Sequence, residues 1–380
     1  MNLLGRRFAS AMTLAAVVGF VVTSTSLLAG QAPASRPAPA TKTAVTTQAK
    51  AAPAPAKKYV APRNEYGQPD LNGVWAYGTA TPLQRGEGAP AELSDEEAEA
   101  AAARAKVARN QDNRPARGTA ADVGGAYNDF WWDYGKTLAG KQASLVVDPP
   151  DGRIPPQLPE AVKRNQDRRA KLPVRTPGID ADNPEDRSLW ERCIMRGLPA
   201  LPGPYNNNMQ IFLSQDYAVI TIEMIHEARI IPLDGRKHGT VRGWHGDSVG
   251  HWEGDTLVVD TINFTDKTQF QGSAENLHLV ERYTRVAPDT VMYQVTASDP
   301  TTWARPFTIQ IPMSFNKAGM FEYACHEGNH GLEGILKGSR LMEKELAANP
   351  VAAPAAGRGQ GQGQGRGGRG GGAAPAGRGR

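Results

Sequence analysis

The stretch from Gly246 to Phe264 limits the folds open to this chain more than any other. It reads as one strand, a tight Glu253-Gly254-Asp255 turn, and a second, longer strand rich in Val, Ile and Thr. A turn that short joins antiparallel neighbours. Strand-like runs repeat on both sides, at 209–213, 218–225, 228–233, 277–286, 291–299 and 307–315. The connectors are turn-like as well, with Asp234-Gly235 and Ala287-Pro288-Asp289 as examples. Short, even spacing without intervening helices predicts a mainly β fold, an antiparallel meander forming a barrel or a sandwich.

Two helices flank the strands in this reading. Ser94 and Glu97 form a capping-box pair ahead of an Ala-rich run to Arg109, and acids fill its first turn. Its faces carry almost no large apolar residue, so a surface position is expected. A closing helix is expected over 335–348, after a loop from Asn329 to Gly334. Residues 144–148 read as a short strand running into the Pro149-Pro150-Asp151-Gly152 turn. Residues 155–190 are Pro-rich and charged, and read as a long surface loop with one helical turn at most.

The ends of the 380-residue chain have a different composition. Residues 1–30 open with Arg6 and Arg7, continue through a short apolar run and leave through small residues, the pattern of a secretory signal peptide. Thr23, Ser24, Thr25 and Ser26 interrupt the apolar run, which disfavours a retained membrane anchor. Residues 31–62 form an Ala/Pro linker and residues 350–380 a Gly/Arg-rich tail, both expected to be disordered. These ends hold 12 of the 43 basic residues and none of the 39 acids, so residues 63–349 carry 31 bases against 39 acids, a net charge of −8. A nucleic-acid-binding core is therefore disfavoured, and no transmembrane span is expected once the signal is cleaved. The basic tails could reach an anionic envelope polymer. Export, to the periplasm or the exterior, would permit a disulfide between the two cysteines, Cys193 and Cys325. Closing so long a loop stabilises a fold by up to about 5 kcal/mol in the chain-entropy picture.

Several motifs invite a chemical reading. Gly246-Asp247-Ser248-Val249-Gly250 is a literal Gly-x-Ser-x-Gly flanked by His245 and His251. A nucleophile elbow needs a helix after the serine, and here the following residues read as strand. His326-Glu327-Gly328-Asn329-His330 is a literal His-Glu-x-x-His, the zinc-peptidase pattern, in which both imidazoles must project from one helix. Gly328, Asn329 and Gly331 make that helix poor, so zinc held by His326, Glu327 and His330 stands as the alternative to a protein without a cofactor. His226, His238, His245, His251 and His278 show no paired ligand spacing. Glu223, Asp260 and Glu281 sit among apolar strand residues; pointing inward they would need partners, for which Arg229 and Arg282 are available. The aromatic run Tyr127, Phe130, Trp131, Trp132 and Tyr134 fits either a stacking platform or a plug at one end of a core.

Gly73-Val74-Trp75 at the entry to the first strand resembles the start of lipocalin-like barrels, which implies a Trp closing the barrel floor. A wider set of motifs resembles a large family of exported bacterial proteins of unassigned activity. It comprises Arg192-Cys193, Ile230 through Arg236, the Gly246–Gly250 motif, Trp252 through Thr261, Glu281-Arg282, Asp299-Pro300 and Glu322 through Asn329. Members of that family often carry Tyr where this chain has His330, so the His-Glu-x-x-His match would be peculiar to this chain, which weakens the zinc alternative. The expected function is non-catalytic binding of a small-molecule ligand in a barrel mouth lined by Trp75, Trp131, Trp132, Glu223, Trp252 and Glu281. A zinc-dependent hydrolase and an envelope scaffold are the alternatives.

Overall fold

Alternation of apolar and polar residues carries the chain through ten strands. In order they are β1 (Gly73–Ala76), β2 (Val146–Asp148), β3 (Asn208–Leu213), β4 (Tyr217–Ile222), β5 (Glu227–Pro232), β6 (Asp247–Glu253), β7 (Thr256–Ile262), β8 (His278–Ala287), β9 (Thr290–Ser298) and β10 (Phe307–Phe315). The computed structural model describes residues 59–113, 117, 128–133, 135, 137–171 and 181–349. The chain divides into two compact units, 1–56 and 57–380, and the first lies outside the described residues. So do the expected signal segment, most of the linker, the Gly/Arg tail, Tyr127 and Tyr134. The linker is shorter than its composition suggests. Ala61 is buried and the Pro62 carbonyl accepts a hydrogen bond from the Asp70 N–H at 2.8 Å.

Nine strands hydrogen-bond in the order β5-β4-β3-β1-β10-β9-β8-β7-β6, and β2 adds to β10 outside this path. Every neighbouring pair is antiparallel. The result is a nearly closed, lipocalin-like barrel. Its inner face is the odd or even set of each strand: Met209, Ile211 and Leu213 on β3, Leu279 and Tyr283 on β8, Val291, Tyr293 and Val295 on β9, Ile309, Ile311 and Met313 on β10. Each such side chain withdrawn from water contributes about 1.5–3 kcal/mol before entropy is counted. Trp75 is fully buried in this core. Its indole N–H donates to the Leu71 carbonyl at 2.8 Å, Phe315 meets it edge-on, and the Arg285 guanidinium lies 5.6 Å from its ring.

Because nine is odd, strict alternation leaves the first and last strands of the path, β5 and β6, running in the same direction. They lie side by side without backbone pairing. Gly250 makes the approach possible on the inner face: a Cβ there would stand 2.8 Å from Leu233 and 3.0 Å from Ile231. Toward the start of both strands the seam stays open.

Helix α1 (Asp95–Arg109) carries the expected capping box and buries no side chain. Three other expectations need correction. The 155–190 region holds a full helix, α2 (Pro159–Lys171), with Pro at its start and Ala161 buried. It is fixed by contacts that local pattern does not reveal, including Arg164 to the Thr302 hydroxyl at 2.8 Å and Asn165 to the Gly272 carbonyl at 3.1 Å. The strand expected over 218–225 stops at Ile222, since Ile225 and His226 adopt left-handed φ values of 63° and 44° and turn the corner into β5. The closing helix, α3 (Gly331–Ala348), begins four residues earlier than expected, directly at Gly331. Cys193 and Cys325 are joined by a disulfide that spans 132 positions, with Cα atoms 5.9 Å apart. No helix among the described residues is long and apolar enough to cross a membrane.

Candidate ligand-binding seam

A cavity of about 580 Å³ occupies the open part of the β5–β6 seam. Side chains from both faces of these strands line it, Ala228, Ile230 and Val249 from the outward set and Arg229 and Ser248 from the inward set. Residues of both sets can share one cavity only where the strands part and leave their edges unpaired. The connector at 233–246 closes the outer end and contributes Arg236, Lys237 and His245.

Arg229 is the innermost charge. Its Nη1 and Nη2 donate to the two oxygens of Glu281 at 2.5 and 3.0 Å, and both groups are buried. The Tyr283 and Tyr293 hydroxyls each donate to Glu281 Oε1 at 2.9 Å. Burial, followed by the Glu281 charge, pushes both phenols well above their usual range, so they remain donors. Burial alone would lower the Arg229 guanidinium, but the Glu281 charge overrides it and raises it above its ordinary value. Arg229 Nε, also buried, has no hydrogen-bond partner among the described residues.

The connector is fastened to the barrel wall by alternating imidazoles and carboxylates. His238 places Nδ1 3.0 Å from Asp247 Oδ2 and Nε2 2.9 Å from Asp260 Oδ1, and His278 Nε2 sits 2.8 Å from Asp260 Oδ2. The Gly239 N–H donates to Asp247 Oδ2 at 2.8 Å, and Asn263 Nδ2 donates to the Gly239 carbonyl at 2.9 Å. Partial burial pushes the Asp260 carboxyl up, but the hydrogen bonds from His278 and His238 outweigh it and hold it below the usual range. The same bond raises His278, against a smaller opposing effect of burial.

The expected ligand contacts lie elsewhere: none of the six lines this cavity. Trp75 is core. Trp252 is half-buried against the core, its Nε1 without a partner among the described residues. Glu223, expected within a strand, sits at the corner after β4 and is buried; it accepts from Asn208 Nδ2 at 2.6 Å and from the Phe321 N–H at 2.9 Å. Glu281 is inward and paired with Arg229, one of the two partners anticipated; Arg282 instead binds Glu253 at 2.7 Å. Trp131 is exposed, edge-on to Phe130, whereas Trp132 meets Tyr205, which stacks on Tyr323 near the disulfide.

Neither hydrolase motif has the geometry its chemistry needs. Ser248 lies within β6, its hydroxyl 2.9 Å from that of Thr261, with strand on either side. Residues 326–330 form a loop, with Gly328 at φ 65° and His330 capping α3. The His330 side chain is 86% exposed, and its nearest acid is Glu333, at 3.7 Å. The one-helix arrangement required for the alternative zinc site at His326, Glu327 and His330 is thus not formed, because Gly328 takes a left-handed turn inside the motif. No group of three or more His, Cys, Asp or Glu side chains is placed to hold a metal ion among the described residues.

Comparison with family models, with curated proteins and with solved structures finds no match. The site must therefore be read from its own chemistry. Sequence patterning drew attention to His245 and Ser248 for a reaction they are not built to perform, and passed over Arg236 and Lys237. The available signal was the connector itself, a basic, Gly-containing stretch far longer than the Gly254-Asp255 turn of the next hairpin.

Proposed function

We propose that this protein is an exported, non-catalytic binding protein that holds a small-molecule ligand in the β5–β6 seam. One observation carries the reading: the barrel interior is filled by side chains, and the 580 Å³ cavity lies where two strand edges are unpaired. Its wall mixes charged and polar side chains with the apolar Ala228, Ile230, Pro232 and Val249, and concave sites with converging polar groups are where small ligands usually bind. The Cys193–Cys325 bond supports export, because such bonds persist in oxidising compartments. Among the described residues no base hydrogen-bonds to Ser248, whose hydroxyl meets that of Thr261, and 326–330 is not helical, which disfavours hydrolysis.

Native mass spectrometry of the protein recovered from producing cells tests the proposal. Ala228 faces outward and lines the cavity, so Ala228→Trp fills the seam without touching the core. The wild type is expected to carry a non-covalent adduct that this variant lacks. A bare wild-type polypeptide, or an adduct retained by the variant, would count against the seam.

A further inference from the structure

We infer that the ligand of the seam is an amphipathic organic carboxylate, its anionic head beside Arg229 and Lys237 and its apolar body against Ile230. The inference rests on the seam being the binding site and adds the chemical class of what binds there.

Charge is the first argument. The cavity wall carries Arg229, Arg236 and Lys237 against a single acid, Asp247, while His245 on the same wall has the buried Glu227 carboxylate 3.5 Å from its Nε2. Asp247 is engaged by His238 and by the Gly239 N–H. Glu281 neutralises Arg229, and Asp234 neutralises Arg236 through bonds from Nε at 2.9 and 3.0 Å. Lys237 has no carboxylate within 4.0 Å among the described residues, so the wall retains one uncompensated cation. A cationic donor prefers an ionised acceptor to a neutral one.

The buried donor is the second argument, and it is independent of the first. Arg229 is 4% exposed at its side chain, Glu281 occupies both terminal nitrogens, and Nε remains without a partner among the described residues. Leaving a buried donor unmade costs about 1–3 kcal/mol, more on a charged group. A carboxylate oxygen satisfies it once the seam parts enough to uncover Nε, which solvent does not reach in this structure.

Beside Tyr217 and Ser248, the wall has an apolar part, Ala228, Ile230, Pro232 and Val249, that leads outward. Ile230 is 70% exposed, pairs across β4 with Val219, and Val219 pairs with Phe212, itself 58% exposed. These three stand on the outer face in one cross-strand row, starting at the cavity. An aliphatic body leaving the seam would lie along that row. A compact, fully polar anion would leave it uncovered.

Titration calorimetry with octanoate, octanamide and butanoate on the full chain tests the class. Octanoate is expected to bind, octanamide at least tenfold more weakly, and butanoate more weakly by up to about fourfold for each buried methylene lost. Lys237→Ala should weaken octanoate about fivefold, as loss of one partly screened ion pair does, and the difference should shrink in high salt. Ile230→Glu places a like charge at an exposed position of the wall and should abolish octanoate binding while the unfolding midpoint stays within a few degrees. Octanamide binding as tightly as octanoate, and lost in Ala228→Trp, would overturn the carboxylate and leave the seam standing. Octanoate binding that neither Ala228→Trp nor Ile230→Glu disturbs would overturn both. No binding of octanoate at millimolar concentration, from a protein whose wild-type adduct is lost in Ala228→Trp, would overturn the carboxylate alone.

Discussion

Glu281 shows how much one side chain can depend on its surroundings. A fully buried carboxylate is tolerable only because Arg229, Tyr283 and Tyr293 supply four hydrogen bonds to its two oxygens. Glu281→Ala leaves the Arg229 charge buried and unpaired, and should cost about 3–5 kcal/mol in urea unfolding. Replacing Glu281 and Arg229 together by Leu should cost less than the single change, which a double-mutant comparison reads directly. Gly250 makes the opposite demand, for absence of a side chain. Gly250→Val drives atoms into Leu233 and Ile231 and should destabilise by about 1–3 kcal/mol, again measured by urea unfolding. The pairing of Glu281 with Arg229 was legible because period-2 alternation puts both on inner faces. The phenol contributions were not, since they depend on the β8–β9 register that sets Tyr283 opposite Tyr293. Lys237 was illegible for a plainer reason: a lysine in a polar connector looks like any other until the strand edges beneath it are seen to part.

Among the elements, the β7–β8 pair carries a pH-responsive contact, between His278 and Asp260. His278 is raised above its ordinary value of 6.5, so its contribution is complete below that value and is lost as pH rises through the raised one. Asp260 is lowered from 3.8, so its contribution is present above 3.8 and is lost as pH falls through the lowered value. The His278–Asp260 contact therefore contributes fully between roughly pH 4 and 6.5 and weakens toward alkaline pH. An NMR titration of the His278 ring should place its midpoint above 6.5, and in Asp260→Asn that midpoint should fall back toward the ordinary value. Strands proved more legible than other elements. The run 307–315 coincides with β10, whose alternation is uninterrupted from Phe307 onward. The strand ending at Ile222 was overextended because nothing in the residue types of Ile225 and His226 announces a left-handed backbone. Helix α2 was missed because its sequence is mostly charged or polar with few apolar residues, and tertiary contacts through Arg164 and Asn165 hold it in place.

At the scale of the molecule, the disulfide joins the segment before β3 to the loop that leads into α3. Reduction should lower stability by up to about 5 kcal/mol in the chain-entropy model, read as a fall in the thermal midpoint with and without reductant. The loss should concentrate in 181–200 and in α3, which limited proteolysis would locate, because the barrel ladders do not include either. The antiparallel meander was legible from spacing alone. The odd number of strands around it was not, since β1 enters between β3 and β10 from far away in sequence. That odd number makes the barrel a split ring. A closed ladder has a fixed girth, whereas a split ring can widen or tighten at its gap while every other rung keeps its length. A molecule lodged in the gap would then act as a wedge that sets the bore.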